Sequence, residues 1–114
     1  MNFRIEKVGL IVNRKKAGAV ALARKLHAWL KKRGKVVLAD GRDAARRILA
    51  QADLIVCLGG DGTILNVADR LRRSVPVVGI NLGRLGFLTT VRREETFSEL
   101  DAILSGSSTV EERI

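Results

Sequence analysis

The sequence predicts an α/β fold: an open, Rossmann-like parallel sheet flanked by helices in three layers. Three observations carry that expectation. Short apolar runs alternate along the chain with segments of helical spacing, the pattern of repeated βαβ units. The runs are apolar throughout rather than on alternate residues, as strands covered on both faces require. The length of 114 residues suits one small domain with a real core and is short for two.

Val8-Gly9-Leu10-Ile11-Val12 opens the series as a buried strand. From Ala17 to Arg33, apolar residues recur at Ala19, Leu22, Ala23, Leu26, Trp29 and Leu30, one stripe of an amphipathic helix. Arg24, Lys25, Lys31 and Lys32 face away from that stripe, and Gly34 follows where a helix commonly ends in glycine. A second strand spans Lys35 to Ala39 around Val36-Val37-Leu38, and residues 43–50 form a short helix with Asp43 as its cap or first-turn acid. Leu54-Ile55-Val56-Cys57-Leu58 is the clearest buried strand and runs straight into Gly59-Gly60. Residues 63–73 return to helical spacing through Ile64, Leu65, Val67, Ala68 and Leu71. Val77-Val78-Gly79-Ile80 follows Pro76 as a fourth strand, and a glycine-punctuated stretch runs from Asn81 to Leu88. Residues 96–104 make a last helix through Phe97, Leu100, Ile103 and Leu104, closed by Ser105-Gly106-Ser107-Ser108. With right-handed crossovers, the loops Asn13–Ala17, Gly59–Thr63 and Asn81–Leu88 share the C-terminal edge of the sheet, where such folds bind ligands.

The formal charge of +9 is uneven: residues 1–50 hold 14 Lys and Arg against 3 Asp and Glu, and residues 51–114 hold 7 against 9. Clustered cations attract phosphate, whether of nucleic acid or of small polyanions such as ATP. Only four aromatics, Phe3, Trp29, Phe87 and Phe97, are present and scattered, so base-stacking platforms are lacking and no nucleic-acid partner is expected. Most of the charges read as solvated helix faces. No apolar run approaches the roughly 20 residues that cross a bilayer, and the first residues lack a secretory apolar core; no membrane association and a cytoplasmic location are the expectations. Cys57 is the single cysteine and sits mid-strand as a small apolar residue; His27, the single histidine, reads as a surface or boundary residue of a helix.

The chemistry concentrates in Gly59-Gly60-Asp61-Gly62-Thr63, between a buried strand and a helix. Glycines there permit φ > 0 and let the backbone approach a ligand, and the unpaired N–H groups of the helix start suit phosphate. Neither G-x-G-x-x-G nor G-x-x-x-x-G-K-[ST] matches. A carboxylate beside phosphates is repulsive, so Asp61 needs a function: holding a nucleotide's Mg²⁺, or taking a proton from an attacking hydroxyl in phosphoryl transfer. Thr63 either caps the helix or donates its hydroxyl to a phosphate. Arg14, Lys15 and Lys16 after the first strand, and Arg84 in the third loop, are candidate phosphate contacts.

The loop resembles the GGDGT motif of NAD kinases, which lipid kinases of the diacylglycerol type and, loosely, phosphofructokinases share. Gly79-Ile80-Asn81-Leu82-Gly83-Arg84-Leu85-Gly86-Phe87-Leu88-Thr89 is similar to a second NAD kinase segment, G-[IV]-N-x-G-x-[LV]-G-F-L-T. The lipid kinases' downstream Pro/Gly/Thr-Asn-Asp pattern is not found. The resemblance runs from Val8 to Arg113 and implies the N-terminal α/β domain of an NAD kinase, which moves the γ-phosphoryl of ATP, or polyphosphate, with Mg²⁺ or another divalent metal. The acceptor would be the adenosine ribose 2′-hydroxyl of NAD, giving NADP. By position, Asp61 would be the proton acceptor. Gly59, Gly60, Gly62 and Thr63 would help hold substrate, and Asn66 stands where many members carry a basic residue, leaving a hydrogen bond in place of a charge. Phe87 would pack near the dinucleotide, or else plug the loop as a core aromatic. Asn81 would fix its loop through backbone hydrogen bonds. A lipid kinase and a non-catalytic nucleotide-binding module are the alternatives.

The family's all-β C-terminal domain, with its Asn-Glu pair, has no counterpart in these residues, so the chain reads as a fragment; the resemblance implies a homo-oligomer assembled through that domain. The 1–114 chain alone is expected to phosphorylate no NAD in a coupled NADP assay, and measurable turnover would overturn this.

Overall fold

The computed structural model describes residues 4–39, 44–83 and 91–106. Strands β1 (Lys7–Val12), β2 (Val36–Leu38), β3 (Leu54–Gly59), β4 (Val77–Asn81) and β5 (Val91–Arg92) form one sheet in the order β2-β1-β3-β4-β5. All four pairings are parallel. Helices α1 (Ala19–Lys32), α2 (Ala44–Gln51), α3 (Asp61–Arg70) and α4 (Thr96–Ser105) complete it, with a 3₁₀ turn at Arg93–Glu95. The α/β three-layer expectation therefore holds.

The chain leaves β1 toward β2 on one side and returns to β3 on the other, so right-handed crossovers put the helices on opposite faces. Strand side chains alternate accordingly. Leu10, Val56 and Ile80 meet Leu22 and Leu26 of α1 and Leu100 of α4 on one face. On the other, Ile55, Cys57 and Val77 meet Ile48 of α2 and Val67 of α3. β3 lies at the centre and is buried along its whole length. Between the first pair of helices, Trp29 and Phe97 meet edge to face at 5.5 Å, and the Arg33 guanidinium stands 3.7 Å over the Trp29 ring.

Most boundaries shift by a single residue, and three larger differences from the sequence reading have local reasons. α1 starts at Ala19 because Gly18 takes the left-handed conformation, φ 78°. Its far end behaves as expected: Gly34 is left-handed (φ 76°), and the Gly34 and Lys35 N–H groups donate back to Lys31 and Leu30 carbonyls. α3 spans Asp61–Arg70 rather than residues 63–73, since extended Gly60 already serves as its N-cap and Leu71 is extended at its end. β5, only two residues long, is a fifth strand that periodicity did not reveal. Asp43 and residues 107–108 lie outside the described residues.

Just past α3, Arg73 turns back and caps α2 from outside. Its Nε donates to the Leu49 carbonyl at 2.8 Å and its Nη2 to the Ala52 carbonyl at 2.6 Å. Helix ends leave such carbonyls without intrahelical partners, and a guanidinium answers several at once. Asp53 does the opposite service at the strand edge, accepting from the Glu6 and Lys7 N–H groups at 3.0 and 2.8 Å. Among the described residues no helix is long and apolar enough to cross a membrane.

Arg73→Ala should cost about 1–2 kcal/mol, the usual worth of hydrogen bonds from a charged donor with part of it returned by solvent. Urea unfolding checks this as a lower midpoint at unchanged slope. Burial pushes the Cys57 thiol up from 9.0 to about 12. The folded pKa is the higher one, so this contribution to stability is complete below pH 9 and falls away as pH rises through the interval to about 12. Cys57→Ala should flatten the alkaline loss in pH-dependent denaturation, and native protein at pH 8 should resist thiol reagents that label the unfolded chain at once.

Candidate functional site at the β1–β3 edge

Three strand ends stand abreast at the reversal point of the sheet. β1 hands on to Asn13, whose N–H donates to the Leu58 carbonyl at 2.9 Å; beyond β4, the Leu82 N–H donates to the Gly59 carbonyl at 3.0 Å. Two asparagines turn the flanking loops in the same manner. Asn13 Oδ1 accepts from the Lys15 N–H at 3.1 Å, and Asn81 Oδ1 from the Gly83 N–H at 3.0 Å. The loop-fixing role expected of Asn81 is what it does; the matching role of Asn13 was not foreseen.

Between them, Gly59 is held by contact. A Cβ there would sit 2.6 Å from Thr63 Oγ1 and 3.1 Å from Asn13 Cβ. Gly60 and Gly62 differ: a Cβ on either meets nothing within 4 Å, and Gly60 is extended at φ −144°, open to any residue. The left-handed glycines among the described residues are Gly18, Gly34 and Gly106, so freedom at positive φ is not what this loop uses. Thr63 does not cap α3. The cap is Gly60, with no side-chain bond, and Thr63 lies in the first turn with its hydroxyl folded back over Gly59.

These residues border a cleft of about 530 Å³, within the range of small-molecule sites. Gly60, Asp61, Gly62, Thr63 and Asn66 all line it, so the structure brings together five of the site residues read from sequence. Gly59 stands behind them in the sheet. Of the three cations after β1, Lys16 lines the cleft, whereas Arg14 lines a different groove beside α1. Lys16 also spans to the third loop, its Nζ 3.7 Å from where a Gly83 Cβ would be. Arg93 braces this arrangement: its Nη2 donates to the Ala17 carbonyl at 2.6 Å and lies 2.6 Å from a Cβ on Gly18. Phe87 and Arg84 lie outside the described residues.

Sequence reading missed the deeper walls. Ala45 and Leu49 of α2, and Val67 and Arg70 of α3, also line the cleft. The signal was available for α3, because Thr63, Asn66, Val67 and Arg70 fall at i, i+3, i+4 and i+7, one helix face. For α2 there was none beyond two ordinary apolar residues a turn apart.

Electrostatically, the mouth combines the positive end of the α3 dipole with Lys16, around the half-buried Asp61. Such a place accepts an anion. No group of three or more His, Cys, Asp or Glu able to hold a metal is found among the described residues. His27 is half-buried on α1, a boundary residue as expected.

Comparison with known proteins bears directly on this geometry. Residues 40–108 match the family described as the ATP-NAD kinase N-terminal domain. The NAD kinase of Heliobacterium modesticaldum is 42% identical over 120 residues, covering 94% of this chain and 42% of that protein. The NAD kinase of Thermococcus kodakarensis is 37% identical over 119 residues, covering 95% of this chain and 43% of that one. The chain thus spans about four tenths of the length of these curated relatives. Among solved structures, an NAD kinase from Archaeoglobus fulgidus in complex with ATP aligns with a TM-score of 0.66 at 26% identity, over 90% of this chain and 38% of that chain. Yeast NADH kinase complexed with NADH aligns with a TM-score of 0.69 at 20% identity over the same shares, a likeness of fold. Since residues 40–108 carry α2, α3, both glycine-rich loops and most of the cleft, the chain belongs to the ATP-NAD kinase N-terminal domain family.

Proposed function

We propose that this domain is the phosphate-binding and proton-accepting half of an NAD kinase, transferring the γ-phosphoryl of ATP to the adenosine ribose 2′-hydroxyl of NAD. The observation that carries the reading is the bareness of Gly60 and Gly62. None of the described residues fills the space in front of either, and Gly60 needs no special backbone angle. Packing therefore does not account for glycine at these positions, whereas close approach of a phosphate to exposed N–H groups does. Gly59 belongs to the fold, held by Thr63 and Asn13.

In this reading, phosphates rest on the first turn of α3, with Lys16 neutralising charge from the opposite wall. Thr63 and Asn66 offer neutral hydrogen bonds, Asn66 in place of a cation. Asp61 accepts the proton of the 2′-hydroxyl as that oxygen attacks phosphorus and ADP leaves. Phe87 would pack near the dinucleotide. The donor set suits a divalent ion, Mg²⁺, that arrives on the phosphates and keeps most of its waters: one carboxylate, Asp61, with Asn66 and Thr63 as neutral oxygens, rather than a resident cage. Bound there, the ion would draw charge from the phosphoryl oxygens.

The test joins residues 1–114 to the remainder of the Heliobacterium modesticaldum NAD kinase and follows NADP formation. Asp61→Asn should lower kcat by about 10²–10⁴-fold, the usual contribution of a positioned base, with the thermal midpoint nearly unchanged. Gly60→Ala should fold normally and raise the KM for ATP by roughly tenfold or more, as displaced phosphate hydrogen bonds would. An active Asp61→Asn chimaera removes the base role, and normal nucleotide binding by Gly60→Ala removes the phosphate role of the loop.

A further inference from the structure

Lys16 lines the cleft from an exposed segment, for every residue from Arg14 to Gly18, between β1 and α1, lies at the surface. Among the described residues, the backbone N–H bonds of this segment are local. The Lys16 N–H donates to the Asn13 carbonyl at 3.1 Å, and the Ala19 N–H to the Lys16 carbonyl at 3.2 Å. Such bonds shape a turn without fixing its distance from the neighbouring strands. A loop left loose loses conformational entropy when a ligand orders it.

That distance is set from beyond β5. Arg93 Nη2 donates to the Ala17 carbonyl at 2.6 Å, across 76 positions of sequence. The same guanidinium lies against Gly18: a Cβ there would meet Nη2 at 2.6 Å, Cζ at 3.1 Å and Nη1 at 3.2 Å. A side chain at position 18 would displace Arg93, besides straining a backbone held at φ 78°. Two successive residues beside Lys16 are thus fitted to one arginine.

Arg93 is itself well placed. It follows β5, where Arg92 pairs with Asn81 of β4, and its carbonyl accepts from the Thr96 hydroxyl at 2.8 Å. Asn81 holds Gly83 through its side chain, and Lys16 Nζ stands 3.7 Å from where a Gly83 Cβ would be. Both the backbone and the ammonium of the Lys16 segment are therefore placed by the β4–β5 side.

We propose that Arg93 is a positioning residue for the anion-binding cation. It bonds the loop rather than the ligand, and it holds Lys16 at the cleft before an anion arrives, so less order remains to be gained on binding. The proposal rests on the reading of Lys16 as a phosphate contact. A purely structural Arg93 would change stability alone. An Arg93 that touched phosphate would act whether or not Lys16 were present.

Sodium tripolyphosphate titrated into the 1–114 chain at about 0.15 M salt, which screens distant charges, separates these cases. Lys16→Ala should weaken binding on the order of tenfold, as loss of a hydrogen bond from a charged group does. Arg93→Ala should weaken it about three- to tenfold, yet by less than about twofold once Lys16 is alanine, the non-additivity of residues that act through one another. By NMR, the Lys16 ε-methylene resonance should shift with tripolyphosphate in the native chain and much less in Arg93→Ala. The Gly60–Thr63 amides should respond in both. Should Arg93→Ala not fold, Arg93→Gln, with a stem too short to reach Ala17, runs the same cycle.

Native affinity in the Arg93 variant, with or without a lower thermal midpoint, overturns the positioning role. An equal loss with Lys16 present and absent overturns it too, making Arg93 a contact in its own right. Native affinity in Lys16→Ala defeats the reading of Lys16, and the proposal with it. A loss in Lys16→Ala beside none in the Arg93 variant overturns the proposal and leaves that reading standing.

Discussion

At the last residue of β3, the central and wholly buried strand, Thr63 from the next helix and Asn13 from the neighbouring strand close in until no Cβ fits. That contact sets how near α3 starts to the sheet. Because Thr63 leans back onto Gly59, the helix begins at once with Asp61, and its first N–H groups stand at the sheet edge rather than above a longer loop. Because Asn13 packs from the β1 side, the loop carrying Lys16 stays beside the same edge. The glycine-rich loop is therefore two devices in sequence: one glycine makes room within the protein, and two more leave room outside it.

What the sequence made legible follows from periodicity and from glycine. β3 and the helix stripe of α1 emerged clearly because five or more residues shared one pattern. β5 did not, since two residues carry no period and its pairing to β4 is a tertiary event. The start of α3 was misplaced by two residues because its cap is a backbone conformation, with no Ser, Thr, Asp or Asn at the capping position to announce it. Five residues of the candidate site were read correctly as neighbours because they lie within eight positions of one another. Ala45 and Leu49 come from another helix, and only the crossover over β1 sets them opposite α3.

The basic half of the chain likewise resolves into distinct uses. Arg33 lies on Trp29, and Lys35 donates to the Ile5 carbonyl at 2.7 Å, both within the fold. Lys16 faces the cleft, while Arg24, Lys25, Lys31 and Lys32 remain on the solvated side of α1 as its stripe foretold. A net charge of +9 thus summarises three populations, of which one borders the candidate site.

The Arg93 brace joins residues 76 positions apart in the chain. Closing so wide a loop is entropically costly, and contacts of that separation form after local ones. During synthesis, β1, α1 and β3 can assemble with the glycine-rich loop already present, but the segment holding Lys16 lacks its Arg93 support until β5 has emerged and docked. The Lys16 side of the cleft thus gains its brace only after the strands that carry the glycine-rich loop can already pair.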